Sequence, residues 1–194
     1  MVHFDLLVIY DIEKFFNIKI TPYLRYQDDI ELIYDDKLPM PAMSILNKLT
    51  GLPSIIANPN LIPKDLSCQS HILSHELGHI INQDIYTEPS QFNRVEMYKI
   101  ECLADEVAAE YIQNNRDRYP VKPIIDYFID TCLLEQKMLQ DELIYMNEQL
   151  CNEQDYDHNK ISSMENSINH ISFRIKNFKE DSINRMNILQ NIII

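Results

Sequence analysis

The sequence predicts an α+β fold. It is mainly helical with a small β-sheet over residues 1–118, followed by a C-terminal antiparallel helical hairpin over residues 119–194. Three features lead there. Pro22, Pro39, Pro41 and Pro53 break up residues 18–60 around short β-favouring runs. Two stretches with helical spacing follow, at about 66–84 and 92–113. Beyond Pro123 there is neither Gly nor Pro, and the apolar residues step by three and four.

Taken in order, Leu6, Leu7, Ile9, Tyr10, Ile12, Phe15 and Phe16 recur at roughly helical spacing and predict a helix within residues 2–18, ending near Asn17. Ile30–Tyr34 and Ser54–Ala57 are the strand candidates of a small, irregular sheet. Pro59-Asn60-Leu61-Ile62-Pro63 then punctuates the chain before the two helices of the middle third. In the last third, Leu139, Leu143, Met146 and Leu150 form one apolar stripe. After a polar break at residues 152–160, Ile161, Met164, Ile168, Ile171, Ile175 and Phe178 form a second. These stripes read first as surfaces that pack on each other and on the domain, and more sharply as a docking arm for a protein partner or substrate. No period marking a solenoid or propeller is present.

Bulk composition narrows the function. The net charge is −13 over 194 residues, divided as −7 over residues 1–122 and −6 over residues 123–194. With neither part basic, direct nucleic-acid binding is disfavoured, because that affinity rests on Lys and Arg neutralising phosphates. An anionic membrane is disfavoured for the same reason. Cys68, Cys102, Cys132 and Cys151 form no C-x-x-C and read as reduced, buried thiols. The apolar run Phe4–Tyr10 is short, contains Asp5, and lacks a basic region before it, so no signal peptide is expected. No stretch reaches the roughly 18 apolar residues of a membrane span. The expected location is cytoplasmic.

The chemistry centres on His75-Glu76-Leu77-Gly78-His79. On a helix, i and i+4 share a face, so His75 and His79 can offer both imidazoles to one metal while Glu76 projects toward the open coordination position. An H-E-x-x-H string arises by accident on the order of once in a hundred such sequences, and otherwise describes two histidines on an amphipathic helix. The surroundings distinguish these readings. Downstream, Glu101-Cys102-Leu103-Ala104-Asp105 again places two acids on one helical face. Glu101 can complete a His, His, Glu set, and Asp105 can accept a hydrogen bond from the non-ligating nitrogen of a metal-binding histidine. Ala104, Ala108 and Ala109, with Gly78 opposite, allow the two helices to approach closely. Two imidazoles and one carboxylate suit Zn2+, with a water in the fourth position and Glu76 as its base.

Other residues compete less well. His71, one turn before His75, would crowd the site from the same side. Glu96, near the start of its helix, and Glu106 and Glu110, neither with an Asp four residues on, are weaker third ligands than Glu101. Tyr86, Tyr98 and Tyr111 are candidates for stabilising an oxyanion, each also readable as a packing tyrosine. His158 and His170 in the hairpin read as solvated or interfacial.

The strings Ser74-His75-Glu76-Leu77-Gly78-His79-Ile80-Ile81 and Glu101-Cys102-Leu103-Ala104-Asp105-Glu106-Val107-Ala108-Ala109-Glu110-Tyr111-Ile112 resemble the ImmA/IrrE metallopeptidase family, which pairs HExxH with a helix of the form E-x-x-A-[ND]-x-[FV]-A. Ile55-Ile56-Ala57-Asn58-Pro59-Asn60-Leu61 is similar to the family's strand ahead of the metal helix. The resemblance covers about residues 20–115. Ile112-Gln113-Asn114-Asn115 stands where many members carry a Leu-Met-Pro-like segment, and the hairpin has no counterpart in the resemblance. The resemblance implies a compact zincin-like domain of the gluzincin type, zinc as cofactor, and endoproteolysis of an intracellular protein. That protein is commonly a helix-turn-helix transcriptional repressor of a phage or mobile element, or a stress-response regulator. Two alternatives stay open: a regulatory protein of the same fold that sequesters a repressor with little or no cutting, and a small-molecule metallohydrolase built on the same three ligands.

Overall fold

The computed structural model describes residues 1–22, 29–87, 91–152 and 158–193. It is an α+β structure with a four-stranded mixed sheet and five helices of 11 residues or more among those residues.

Helix α1 spans Leu6–Phe16. It begins where the Asp5 side chain accepts a hydrogen bond from the Leu7 N–H and ends at Asn17, which takes the left-handed conformation at φ 53°. The helix therefore spans the apolar run and lies inside the expected window 2–18. Val8 and Ile12 face inward with no exposed surface.

The strands are β1 (Lys19–Thr21), β2 (Asp29–Tyr34), β3 (Ala42–Leu46) and β4 (Pro53–Ala57), arranged in the order β1-β2-β4-β3. β1 and β2, and β2 and β4, run parallel, while β3 pairs antiparallel with β4 and forms one edge. The expected runs 30–34 and 54–57 lie within β2 and β4. Ile20, Ile30, Leu32, Ile55 and Ala57 carry the buried apolar surface of the sheet.

Helix α2 spans Leu66–Ile81, with Asp65 capping the Ser67 and Cys68 N–H groups. A 3-10 turn at Asp84–Tyr86 follows, so the expected single helix to residue 84 divides near Asn82. Helix α3, Arg94–Asn114, opens with a capping box in which Asn93 and Glu96 each accept from the other's backbone N–H. Its small residues Ala104, Ala108 and Ala109 are fully buried. A Cβ built on Gly78 would lie 2.8 Å from the Ala104 Cα, so the backbones of α2 and α3 meet at a point only glycine allows.

In the middle of α1, Asp11 accepts from Arg118 and, at 2.6 Å, from the buried hydroxyl of Tyr119, tying α1 to the segment after α3. Burial pushes the Asp11 carboxyl up, but these two donors outweigh it and hold it below its ordinary value.

Helices α4 (Val121–Asn152) and α5 (His158–Ile193) complete the described chain. The chain forms two compact units, one of residues 1–125 with 187–194, the other of residues 126–186. Within the second, Leu139 and Ile171 are buried, Leu143, Met146, Leu150, Ile168, Ile175 and Phe178 are half-buried, and Arg185 lies 5.7 Å over the Phe128 ring. Both expected stripes therefore face inward where they are described. Part of the polar break, residues 153–157, and the side chains of Ile161, Met164, His158, His170 and Cys151 lie outside the described residues. The cysteine expectation needs correction: Cys68 is buried, but Cys102 and Cys132 are only half-buried, because the helical faces that carry them are partly open to water. Among the described residues no helix is long and apolar enough to cross a membrane.

Candidate metal centre

α2 carries His75, Glu76 and His79, and α3 carries Glu101 and Asp105. Because α2 is continuous through this stretch, the two imidazoles project from one face one turn apart. The Gly78–Ala104 contact brings α3 close enough for Glu101 to reach them. His75 Nε2 and His79 Nε2 are 3.2 Å apart. Glu101 Oε2 lies 3.5 Å from His75 Nε2, and Glu101 Oε1 lies 3.8 Å from His79 Nε2.

These separations test whether a metal fits. Two ligands each bound at about 2.0–2.1 Å to a tetrahedral zinc stand roughly 3.3 Å apart. The three edges observed bracket that value or slightly exceed it, and the ligand atoms of His75, His79 and Glu101 all lie within 4.8 Å of one another. The group could hold a metal ion. The electrostatics agree. Burial alone would push the His75 imidazole down, but Asp105, Glu101 and Glu76 outweigh it and hold His75 up at about 10. The site calls for positive charge.

The non-ligating nitrogens are also engaged. His75 Nδ1 lies 2.9 Å from Asp105 Oδ1, on a carboxylate with no exposed surface. His79 Nδ1 lies 3.2 Å from Asp84 Oδ2, on the first residue of the 3-10 turn. Burial pushes the Asp84 carboxyl up against the pull of His79. Asp105 is the residue expected beside a ligand histidine. Asp84 is not, because helical-face spacing does not extend past the end of α2.

Glu76 is buried and its carboxylate Oε2 accepts a 2.7 Å hydrogen bond from the Ser44 hydroxyl on β3, which also lies 2.6 Å from the Glu76 backbone carbonyl. Sequence reasoning missed Ser44. Its only signal is a hydroxyl within the otherwise apolar Ala42-Met43-Ser44-Ile45-Leu46.

The His75, His79, Glu101 group opens into a cavity of about 560 Å³ walled by β3, the 3-10 turn and α3. Met40, Met43, Ile45, Tyr86, Phe92 and Met97 make much of that wall apolar. Of the tyrosines considered as oxyanion donors, Tyr86 lines the cavity. Tyr98 does not, and Tyr111 is fully buried with its ring against Phe15, Phe16 and Tyr119. The competing acids are also placed: Glu96 is taken up in the α3 capping box, while Glu106 and Glu110 are exposed away from the cavity. His71 is buried in α2 with its ring centroid 6.2 Å from that of His75, outside the ligand group. Compared with protein-family models, curated proteins and solved structures, the chain matches none.

Proposed function

We propose that this chain is a zinc-dependent endopeptidase that cleaves a specific protein in the cytoplasm. The observation that carries the proposal is the joint placement of the His75, His79, Glu101 group and Glu76 in the lining of one cavity. When bound, zinc would polarise a scissile carbonyl and lower the pKa of an attacking water to about 7. Glu76 accepts that water's proton and later returns it to the leaving amine, with Ser44 fixing the direction of its carboxylate. Asp105 steadies the His75 ring.

A polypeptide substrate is favoured over a small molecule by the cavity wall. β3 is an edge strand, and among the described residues nothing pairs with its outer side. An extended chain can add there by backbone hydrogen bonding while its apolar side chains enter the cavity. The resemblance to the ImmA/IrrE family supplies the substrate class we propose, a helix-turn-helix transcriptional repressor of a phage or mobile element. We read α4 and α5 as the antiparallel hairpin that grips it. Leu133, Leu134, Met138 and Phe173 are each more than half exposed there, which supports gripping both in this reading and in the sequestering alternative.

The test is to purify the protein and Glu76→Gln, measure bound zinc, and incubate each with candidate repressors. About one zinc per chain in both, with a discrete product from the wild type only, is the expected result. Zinc and repressor binding without cutting by either would favour the sequestering regulator, and absence of zinc would overturn the site.

A further inference from the structure

Asp84 belongs to two structures at once. Its carboxylate is hydrogen-bonded to the ring of His79, and its backbone begins the 3-10 turn whose residues Ile85 and Tyr86, with Thr87, line the same cavity as Glu76. Beyond that hydrogen bond the turn packs against β3 and α2, and it lies near the surface. Its N-cap, Gln83, sits at φ 63° with no side-chain cap hydrogen bond, none of its three residues is buried, and Tyr86 is 54% exposed. Its backbone hydrogen bonds are the local ones from Tyr86 N–H to the Gln83 carbonyl and from Thr87 N–H to the Asp84 carbonyl. A one-turn helix with no buried residue and no capping side chain belongs to the less stable parts of a fold.

We propose that Asp84 is a positioning residue that builds the cavity wall onto the metal centre, so that metal occupancy and wall order are coupled through His79. A neutral imidazole has one N–H, which can sit on either nitrogen. When His79 Nε2 serves as a ligand, the proton must reside on Nδ1, and Nδ1–H becomes an obligatory donor to Asp84 Oδ2 at the 3.2 Å separation seen here. The hydrogen bond to a carboxylate is charge-assisted and strengthens as the ring is polarised. Asp84 then holds the turn in place, and with it Ile85, Tyr86 and Thr87. Linkage makes the effect reciprocal: whatever occupancy contributes to wall order, wall order contributes to affinity. Asp105 performs the same service for His75 but lies in the middle of α3, on a rigid helix with nothing mobile to fix. The coupling is specific to Asp84.

The inference rests on the metal-centre part of the proposed function and is independent of whether peptide bonds are cut. The full chain and its Asp84→Ala and Asp84→Asn variants would be titrated with zinc alone in competition with a chromogenic chelator. Backbone amide exchange of residues 83–87 would be followed with and without zinc. Wild type is expected to show zinc-dependent slowing of exchange at Ile85, Tyr86 and Thr87. Asp84→Ala should bind zinc about 10–100-fold more weakly and, when saturated with zinc, show no such slowing. Asp84→Asn keeps an oxygen acceptor in place and should fall between the two, which separates positioning from general damage should the alanine variant fold poorly. Wild-type zinc affinity in Asp84→Ala, or wild-type exchange at 85–87 that ignores zinc, would overturn the proposal. A wild type that binds zinc and orders the wall but cuts no protein would uphold it while removing the peptidase reading. A wild type that binds no zinc would remove both.

Discussion

Replacing Gly78 by Ala should separate metal binding from folding. The added Cβ would lie 2.8 Å from the Ala104 Cα, 3.0 Å from its carbonyl oxygen and 3.2 Å from its Cβ. Two of the three obstacles are backbone atoms, so no side-chain rotation relieves them. Reaching an ordinary contact of 3.4 Å requires α2 and α3 to part by about 0.6 Å at this level. Overpacking of this kind costs about 1–3 kcal/mol, and the gain in helix propensity returns about 1 kcal/mol. The net loss is at most about 2 kcal/mol, a fall of no more than about 8 °C in the melting temperature of the metal-free protein for a chain of this size. The metal centre should suffer more. Ala104 is one turn from Glu101, and Gly78 is next to His79, so the displacement passes directly into the Glu101–His79 separation. Ligand distances tolerate only about 0.2 Å. Zinc affinity, measured by chelator competition, should fall at least tenfold, about 1.4 kcal/mol, while metal-free Gly78→Ala still melts cooperatively. Gly51→Ala is the control. Gly51 has open space around it but φ +71°, so its replacement should cost stability through backbone strain and leave zinc binding alone. Wild-type zinc affinity in Gly78→Ala would refute the reasoning.

Ser44→Ala should retain full zinc content yet lose about 10–100-fold in kcat through misdirection of Glu76, with Ser44→Thr recovering much of it. Unchanged kcat would show that the 2.7 Å hydrogen bond is idle. His75→Ala should lose both zinc and hydrolysis, as bound-metal analysis and a cleavage assay would report. Asp11→Asn, which weakens the acceptor for the buried Tyr119 hydroxyl, should cost about 1–3 kcal/mol near pH 7 in urea unfolding. The Asp11 carboxyl is more acidic folded than unfolded. Its stabilisation is therefore complete above the unfolded value of about 3.9 and disappears as pH falls through the lower folded value. The difference between wild type and Asp11→Asn should shrink in that acid window, and a difference that persists below it would remove the charge from the explanation.

The helical parts of the site were legible because their signals are local. Helical spacing places α2 and α3, and the i, i+4 spacing places His75 with His79 and Glu101 with Asp105 without any knowledge of the rest. The sheet was less legible. β1 has only three residues, and in β3 Ala42 is buried while Met43, Ser44, Ile45 and Leu46 are all half-buried, so neither shows clean alternation. The two residues that reasoning missed share a cause. Ser44 meets Glu76 across 32 positions of sequence, and Asp84 meets His79 from beyond the last turn of α2, where the chain has left helical geometry. Their roles depend on tertiary placement and carry no spacing of their own.

All six side chains that converge around the metal centre from α2, the 3-10 turn and α3 fall between His75 and Asp105, whereas Ser44 arrives from a different part of the chain. The contacts between α2 and α3 span 22 positions from His79 to Glu101 and 30 from His75 to Asp105, and Ser44 to Glu76 spans 32. Loop-closure entropy grows only with the logarithm of loop length, so none of these contacts is favoured over the others in the order of closing. The ion-binding residues and the β3 hydroxyl that aims Glu76 are thus expected to come together in one step, and a half-folded chain would neither hold its ion firmly nor act on neighbouring proteins.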